Sequence, residues 1–274
     1  MRFLRFFPIL LIITSTSFGG CITESQKTFI YEITHLGPGG GTGFVISDSL
    51  LGFVLVTCKH IVQDSAGNFV DSVFIRQNKV LSTGQTVSDT TQFVLRLKVN
   101  GRRYLAEHSN SDIDLVMIPI LSFNITKPPD GFLIGLPSYK ILSKEEMSKL
   151  DINEGTDVEL IGFSLSSSLI KDSTHYHFSR FGKIGLYTTN EFTLQIDSKR
   201  RTANYILLDM SIRPGDSGSP IFAHIDTNRT YLIGFVSATN IGREIGIGYP
   251  VYYLYDLIKI VSDKFRAALE EKKK

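Results

Sequence analysis

Apolar residues in this chain fall in short runs, several alternating with polar positions, and most runs are closed off by Gly, Asn, Asp or Ser. In the first half these runs predict strands over 29–33, 43–46, 53–57, 73–76, 93–99 and 115–120. The clearest is 93–99: Phe93, Leu95, Leu97 and Val99 share one face and Arg96 and Lys98 take the other, as in a half-buried strand. The second half repeats the pattern over 158–163, 183–187, 192–196, 205–210, 220–225 and 232–238. Between the halves, Pro128, Pro129 and Pro137 and the run Lys144-Glu-Glu-Met-Ser-Lys149 predict a crossover over 125–150. Two all-β units result, 29–124 and 151–250. Past Pro250 the period changes. Leu254, Leu257, Ile258, Val261, Phe265 and Leu269 recur at spacings of three and four, which predicts an amphipathic helix over 251–270 with its apolar side on the second unit. A helix lying on a membrane is the competing reading.

Composition narrows the setting. The chain has 274 residues, 42% of them apolar, enough to bury one large core or two small ones. Of its 29 basic residues, Arg2 and Arg5 lie within the first 20 positions; beyond them 27 basic residues face 27 acidic ones. No basic stripe marks a nucleic-acid surface, so nucleic acid is not an expected partner. Residues 1–20 combine the two arginines, an apolar run and small residues, the zones of a secretory signal. The apolar run is shorter than the ~20 residues that span a bilayer, which disfavours a retained anchor helix. Phe18-Gly-Gly-Cys21 resembles a bacterial lipoprotein cleavage site, although Phe18 departs from the usual leucine. That resemblance implies lipidation at Cys21, a tether over 21–28 and an exported, membrane-anchored protein of the cell envelope; a freely secreted form is the alternative. Cys21 and Cys58 allow at most one disulfide, and acylation of Cys21 leaves none. Cys58 is expected to be a small buried apolar residue.

The chemistry centres on Arg213-Pro-Gly-Asp-Ser-Gly-Ser-Pro220. Glycines on either side of the Asp216-Ser217 pair let the chain turn sharply, exposing the Ser217 hydroxyl and letting the Gly215 and Ser217 amides face one developing oxyanion. A serine needs a base within hydrogen-bond reach and a group to orient that base. His60 is the base candidate, at the exit of the predicted strand 53–57 in Leu55-Val-Thr-Cys-Lys-His60. The third member comes from Asn110-Ser-Asp-Ile-Asp-Leu-Val-Met-Ile118, which offers Asp112 and Asp114. The strand argument favours Asp114, because an apolar run starts directly after it, whereas a strand starting after Asp112 would bury Asp114 at a cost of several kcal/mol if unpaired. Asp112 stays the other candidate.

The order His60, Asp114, Ser217 is that of the chymotrypsin-type triad and differs from the orders of subtilisin-type and α/β-hydrolase enzymes. Gly41-Thr-Gly-Phe44, the segment ending in His60, Asp114-Leu-Val-Met-Ile118 and Gly215-Asp-Ser-Gly-Ser-Pro220 resemble the four signature segments of trypsin-like serine peptidases, of the bacterial kind with few or no disulfides. Glu154-Gly-Thr-Asp-Val-Glu-Leu-Ile-Gly-Phe163 and Arg180-Phe-Gly-Lys-Ile-Gly185 resemble the first strands of the second barrel. The resemblance covers about 30–258 and implies two six-stranded antiparallel β-barrels of chymotrypsin-like form, with no span for a PDZ-type module. It further implies an endopeptidase acting on protein or peptide substrates without metal or cofactor. Substrate would pair along 235–239, with Ser237, Ala238 and Thr239 as contacts and Ser211 at the pocket floor. In activated zymogens the acid equivalent to Asp216 pairs with a freed amino terminus; a tethered Cys21 could not supply one, so other contacts are expected to order this loop. A catalytically silent binding module and an esterase using the same residues are the competing functions.

Other features are weaker. His175-Tyr-His177 could offer two metal ligands but lacks a third nearby in sequence, and His108 is expected at a surface or strand start. Asn124-Ile-Thr and Asn228-Arg-Thr match the glycosylation pattern, which a bacterial lipoprotein signal makes incidental.

Overall fold

The computed structural model describes residues 28–35, 40–80, 86–126, 134–163, 177–196, 199–226, 229–240 and 244–271. Residues 1–20, read as a signal, and Cys21, His175 and Asn228 lie outside them. The first lobe contains β1 (Ile30–Thr34), β2 (Gly40–Asp48), β3 (Gly52–Thr57), β4 (Ser72–Val80), β5 (Thr86–Arg96), the small hairpin β6 (Lys98–Val99) and β7 (Arg102–Arg103), β8 (Ala106–Glu107), β9 (Val116–Ile120) and β10 (Leu136–Pro137). Its main sheet runs β5-β4-β1-β2-β3-β9-β8, with β10 pairing parallel to β2. The second lobe contains β11 (Asp157–Gly162), β12 (Phe178–Tyr187), β13 (Phe192–Ile196), β14 (Lys199–Ala203), β15 (Ile206–Asp209), β16 (Pro220–Asp226), β17 (Arg229–Asn240) and β18 (Ile245–Pro250). Six of these close a barrel in the order β11-β12-β15-β18-β17-β16.

The all-β, chymotrypsin-like reading holds, with two refinements. The first lobe is an eight-stranded curled sheet rather than a closed six-stranded ring among the described residues. The second barrel does have six strands, but the predicted strand 192–196 is not one of them. It pairs with β14 as a separate hairpin, and its place in the ring is taken by β18, Ile-Gly-Ile-Gly-Tyr-Pro. Glycines conceal β18 in the sequence, yet packing demands them: a Cβ on Gly246 would sit 2.5 Å from Ile212, and one on Gly248 2.5 Å from Ile221. The barrel wall therefore presses on its core at the two points where the strand carries no side chain.

The core follows the predicted alternation: Phe93, Leu95 and Leu97 are buried and Arg96 and Lys98 exposed. In the crossover, residues 127–133 lie outside the described set; beyond them a short helix, Lys144–Met147, opens on a reciprocal cap. Ser143 Oγ accepts from the Glu146 amide at 3.1 Å, and the Glu146 carboxylate accepts from the Ser143 amide at 2.8 Å. The C-terminal helix runs over Tyr252–Glu271. Besides β18 it meets β8 of the first lobe, with the Tyr253 ring 5.3 Å from the His108 ring and the Tyr252 ring under the Lys144 ammonium. Leu254, Leu257 and Ile258 are buried, whereas Phe265, past the end of that contact, is 46% exposed. The helix thus touches both lobes. No helix among the described residues is long and apolar enough to cross a membrane.

Candidate active site

β3 ends at Thr57, and the 3-10 turn Lys59–Val62 follows at once, so His60 stands at the lip of the first lobe with its side chain 43% exposed. Asp114 precedes β9 and is buried. His60 Nδ1 donates to Asp114 Oδ2 at 2.6 Å, and the His60 amide donates to Oδ1 at 3.2 Å, so both carboxylate oxygens orient one residue. The Ser237 hydroxyl, from β17, donates to Oδ2 at 2.9 Å, and the Arg201 guanidinium, from β14, lies 3.7 Å from the same oxygen. Burial alone raises the Asp114 carboxyl pKa. The hydrogen bond and charge of His60, then Arg201 and Ser237, outweigh it and hold the group well below the usual carboxylate range. Asp112 does other work: its carboxylate accepts from the Thr202 amide at 2.9 Å and so pins the β13–β14 hairpin over this edge of the site.

Ser217 is part-buried in the turn between β15 and β16, and its hydroxyl donates to the Ser237 carbonyl at 3.2 Å. Among the described residues no hydrogen bond joins it to His60. The loop around it is held from both lobes. Thr42 of β2 donates its amide to Ser217 O and its hydroxyl to Gly215 O, both at 2.8 Å, while the Thr42 hydroxyl accepts from the Phe163 amide at 2.8 Å. From the second lobe, the Gly218 amide donates to Val236 O at 2.7 Å. Gly218 takes φ +84°, and a Cβ there would run into Thr42 O, so the approach of the two lobes requires a glycine. The Gly215 and Ser217 amides donate to no protein acceptor among the described residues.

Asp216 is fully buried and answers the question of what orders the loop. Its Oδ2 accepts from the Arg213 amide at 2.8 Å and lies 3.1 Å from Nε of Arg180, a β12 residue with 17% side-chain exposure. A cation from β12 therefore lies against this buried acid.

The remaining candidates sort as follows. Ser237, a predicted substrate contact, is buried with its hydroxyl on Asp114 and its carbonyl on Ser217. Ala238 is half-buried beside it, the side chain of Thr239 falls outside the described residues, and Ser211 is exposed. Cys58 is buried, donates to Val236 O at 3.1 Å, and has its thiol pKa pushed well up by burial and then by Asp114. Donor atoms of Cys58, His60 and Asp114 lie within 4.8 Å of one another. Metal binding would need a thiolate where burial favours the thiol, and it would need the Nδ1–Oδ2 hydrogen bond broken, so the set fits a hydrogen-bond network better than a metal centre. His108 is half-buried, its Nδ1 accepting from the Asn110 amide at 3.1 Å. Asn124 is fully buried, its amide side chain closing the turn after β9, so it is no glycan acceptor in the folded protein. His177 packs edge-on to Phe163.

Sequence reasoning missed three parts of this site: Thr42, Arg180 as the partner of Asp216, and Arg201 beside Asp114. Only Thr42 carried a local signal, the flanking glycines of Gly41-Thr-Gly43.

The trypsin-like peptidase domain family matches residues 41–229. No curated protein matches the chain by sequence. Among solved structures, the active form of the Rv3671c protease of M. tuberculosis is 14% identical at TM-score 0.50, the match covering 85% of this chain and 80% of that one. A serine endoprotease of Yersinia pestis is 13% identical at TM-score 0.51, covering 88% and 66%. The thermostable serine protease AL20 of an extremophilic microorganism is 11% identical at TM-score 0.50, covering 85% and 99%. At such identities these likenesses speak for the fold alone.

Proposed function

The chain belongs to the trypsin-like peptidases and is a serine endopeptidase; on that premise we propose that it is an exported enzyme, lipid-anchored at Cys21, that cleaves peptide bonds through Ser217, His60 and Asp114. The observation that carries the reading is the 2.6 Å contact between His60 Nδ1 and Asp114 Oδ2, because it fixes the tautomer that leaves Nε2 free to accept a proton. Ser217 Oγ turns from the Ser237 carbonyl toward Nε2, gives up its proton and attacks the scissile carbonyl. Asp114, charged throughout, offsets the imidazolium. The Gly215 and Ser217 amides hold the oxyanion, the imidazolium returns the proton to the leaving amine, and water then releases the acyl group by the same steps. Substrate pairing along β17 brings an N–H toward Ser237 O, which frees the Ser217 hydroxyl for attack.

A fluorophosphonate probe tests the assignment: the wild type is expected to label, and Ser217→Ala and His60→Ala to lose labelling. Labelling that persists in both variants overturns it. Anchoring rests on residues 1–21 and is tested by incorporation of labelled fatty acid, which Cys21→Ser should abolish.

A further inference from the structure

A cleft of about 560 Å³ opens beside His60, between the first lobe and the β13–β14 hairpin. Its walls carry Lys59, Lys199, Arg200 and Arg201, set against Glu107, Asp112 and Asp114. These charges are not equally available. Arg201 and Asp114 face each other at 3.7 Å, and the Asp112 carboxylate is occupied by the Thr202 amide. The Lys59 ammonium donates to the Ser111 carbonyl at 3.0 Å and lies in the field of Asp114 and Glu107. Lys199 and Arg200 are exposed and form no ion pair among the described residues. Glu107 is the one acid of the cleft held by neither a cation nor a backbone amide there. The uncommitted charge is therefore cationic, in a chain whose charges past residue 20 sum to zero.

The hairpin is held where it can act on substrate. The Asp112–Thr202 hydrogen bond ties it to the segment that carries Asp114, and the Tyr205 hydroxyl donates to Arg201 O at 2.9 Å. We propose that this cleft is a substrate subsite for an acidic side chain, Asp or Glu, close to the scissile bond on the His60 side, with Lys199 and Arg200 as its specificity residues. The inference builds on the peptidase reading, since the substrate it describes is the one cut at Ser217. A carboxylate entering beside His60 meets ammonium and guanidinium donors, contacts stronger than those between neutral groups, and an exposed subsite of this kind weakens with salt.

The test uses peptide pairs that differ only by Asp or Glu against Asn or Gln at single positions flanking the cleaved bond. The acidic member is expected to be cleaved with kcat/KM about tenfold higher at one position. The double variant Lys199→Glu/Arg200→Glu should invert that ratio. A second arm measures binding of the same pairs to full-length Ser217→Ala protein by fluorescence anisotropy, with and without the charge reversal, and needs no turnover. Acid-selective binding that charge reversal abolishes supports the subsite even where hydrolysis fails, a result that would count against the peptidase reading alone. Equal cleavage and equal binding of the paired peptides, or a preference that survives charge reversal, overturns the proposal.

Discussion

Replacing Arg180 by Met tests how the serine loop is kept in shape. Met keeps most of the apolar stem and removes the guanidinium that lies 3.1 Å from a fully buried carboxylate. At that distance the attraction is about 5 kcal/mol for an effective dielectric of about 20, and desolvation offsets part of it. Breaking a buried pair by removing one partner costs about 3–5 kcal/mol. The same acid also receives the Arg213 amide, so strain at Asp216 passes directly to the turn that carries the Gly215 and Ser217 amides. We expect Arg180→Met to lower unfolding free energy by about 3–5 kcal/mol in urea titrations followed by circular dichroism. We expect kcat/KM on a cleavable peptide to fall about 100-fold, the scale of losing one oxyanion donor. Arg180→Lys should fall between, because an ammonium keeps the charge but not the planar fork. Adding Asp216→Asn separates the pair from general packing. A double-mutant cycle should show coupling of about 2 kcal/mol or more, while additive effects would mean that Arg180 acts elsewhere. Forms beginning at residue 22, with free or blocked amino termini, should be equally active. If activity appears only after a cut near residue 30, or if Arg180→Met retains wild-type kcat/KM, the reasoning fails.

Three further outcomes follow from the same contacts. Thr42→Val, nearly isosteric, leaves Gly215 O and the Phe163 amide without their hydroxyl partner and should cost about 2–6 kcal/mol in urea unfolding, at about 1–3 for each buried group. Gly218→Ala combines a φ of +84° with a collision at Thr42 O; we expect loss of probe labelling at Ser217, and wild-type labelling would show that the lobes can separate there at little cost. Burial pushes the Tyr205 hydroxyl up to about 12 and those of Tyr31, Tyr249 and Tyr252 higher still. Groups raised in the folded state contribute stability that is intact below their ordinary pKa near 10 and is lost as pH rises past it. Melting temperature should therefore fall between pH of about 10 and 12, and ultraviolet titration should show these rings ionising only as the protein unfolds.

Local pattern made much of this fold legible. Each strand that alternated or ran apolar between turn residues exists, and His60, Asp114 and Ser217 all sit next to such segments. Two of the strands left unread show why the remainder was not visible. β14, Lys-Arg-Arg-Thr-Ala, has no apolar face because it lies outside the barrel, paired only to β13. β18 lost its signal to glycines whose purpose is set by Ile212 and Ile221, residues from other segments of the chain. The helix Tyr252–Glu271 was visible in its period, but which lobe its apolar face meets depends on how the lobes dock, and no spacing within the helix records that.

The same limit applies more sharply to the site. Ser217 looks self-sufficient as a sequence, with glycines placed to expose it, yet its loop is fixed by atoms far away along the chain: Thr42 lies 173 residues from Gly215 and Ser237 lies 123 from Asp114. Thr42 belongs to the first lobe and Arg180 to the second, and each grips a different point of one turn. The Ser217 turn is thus shaped by contacts from both lobes, and the same docking brings Asp114, beside His60 in the first lobe, against Ser237 of the second. A lobe expressed alone would carry its share of the proposed catalytic side chains without the contacts that align them. Lobe docking and the geometry of the proposed site rest on the same contacts, because Ser237 and Thr42 each make hydrogen bonds across the lobes.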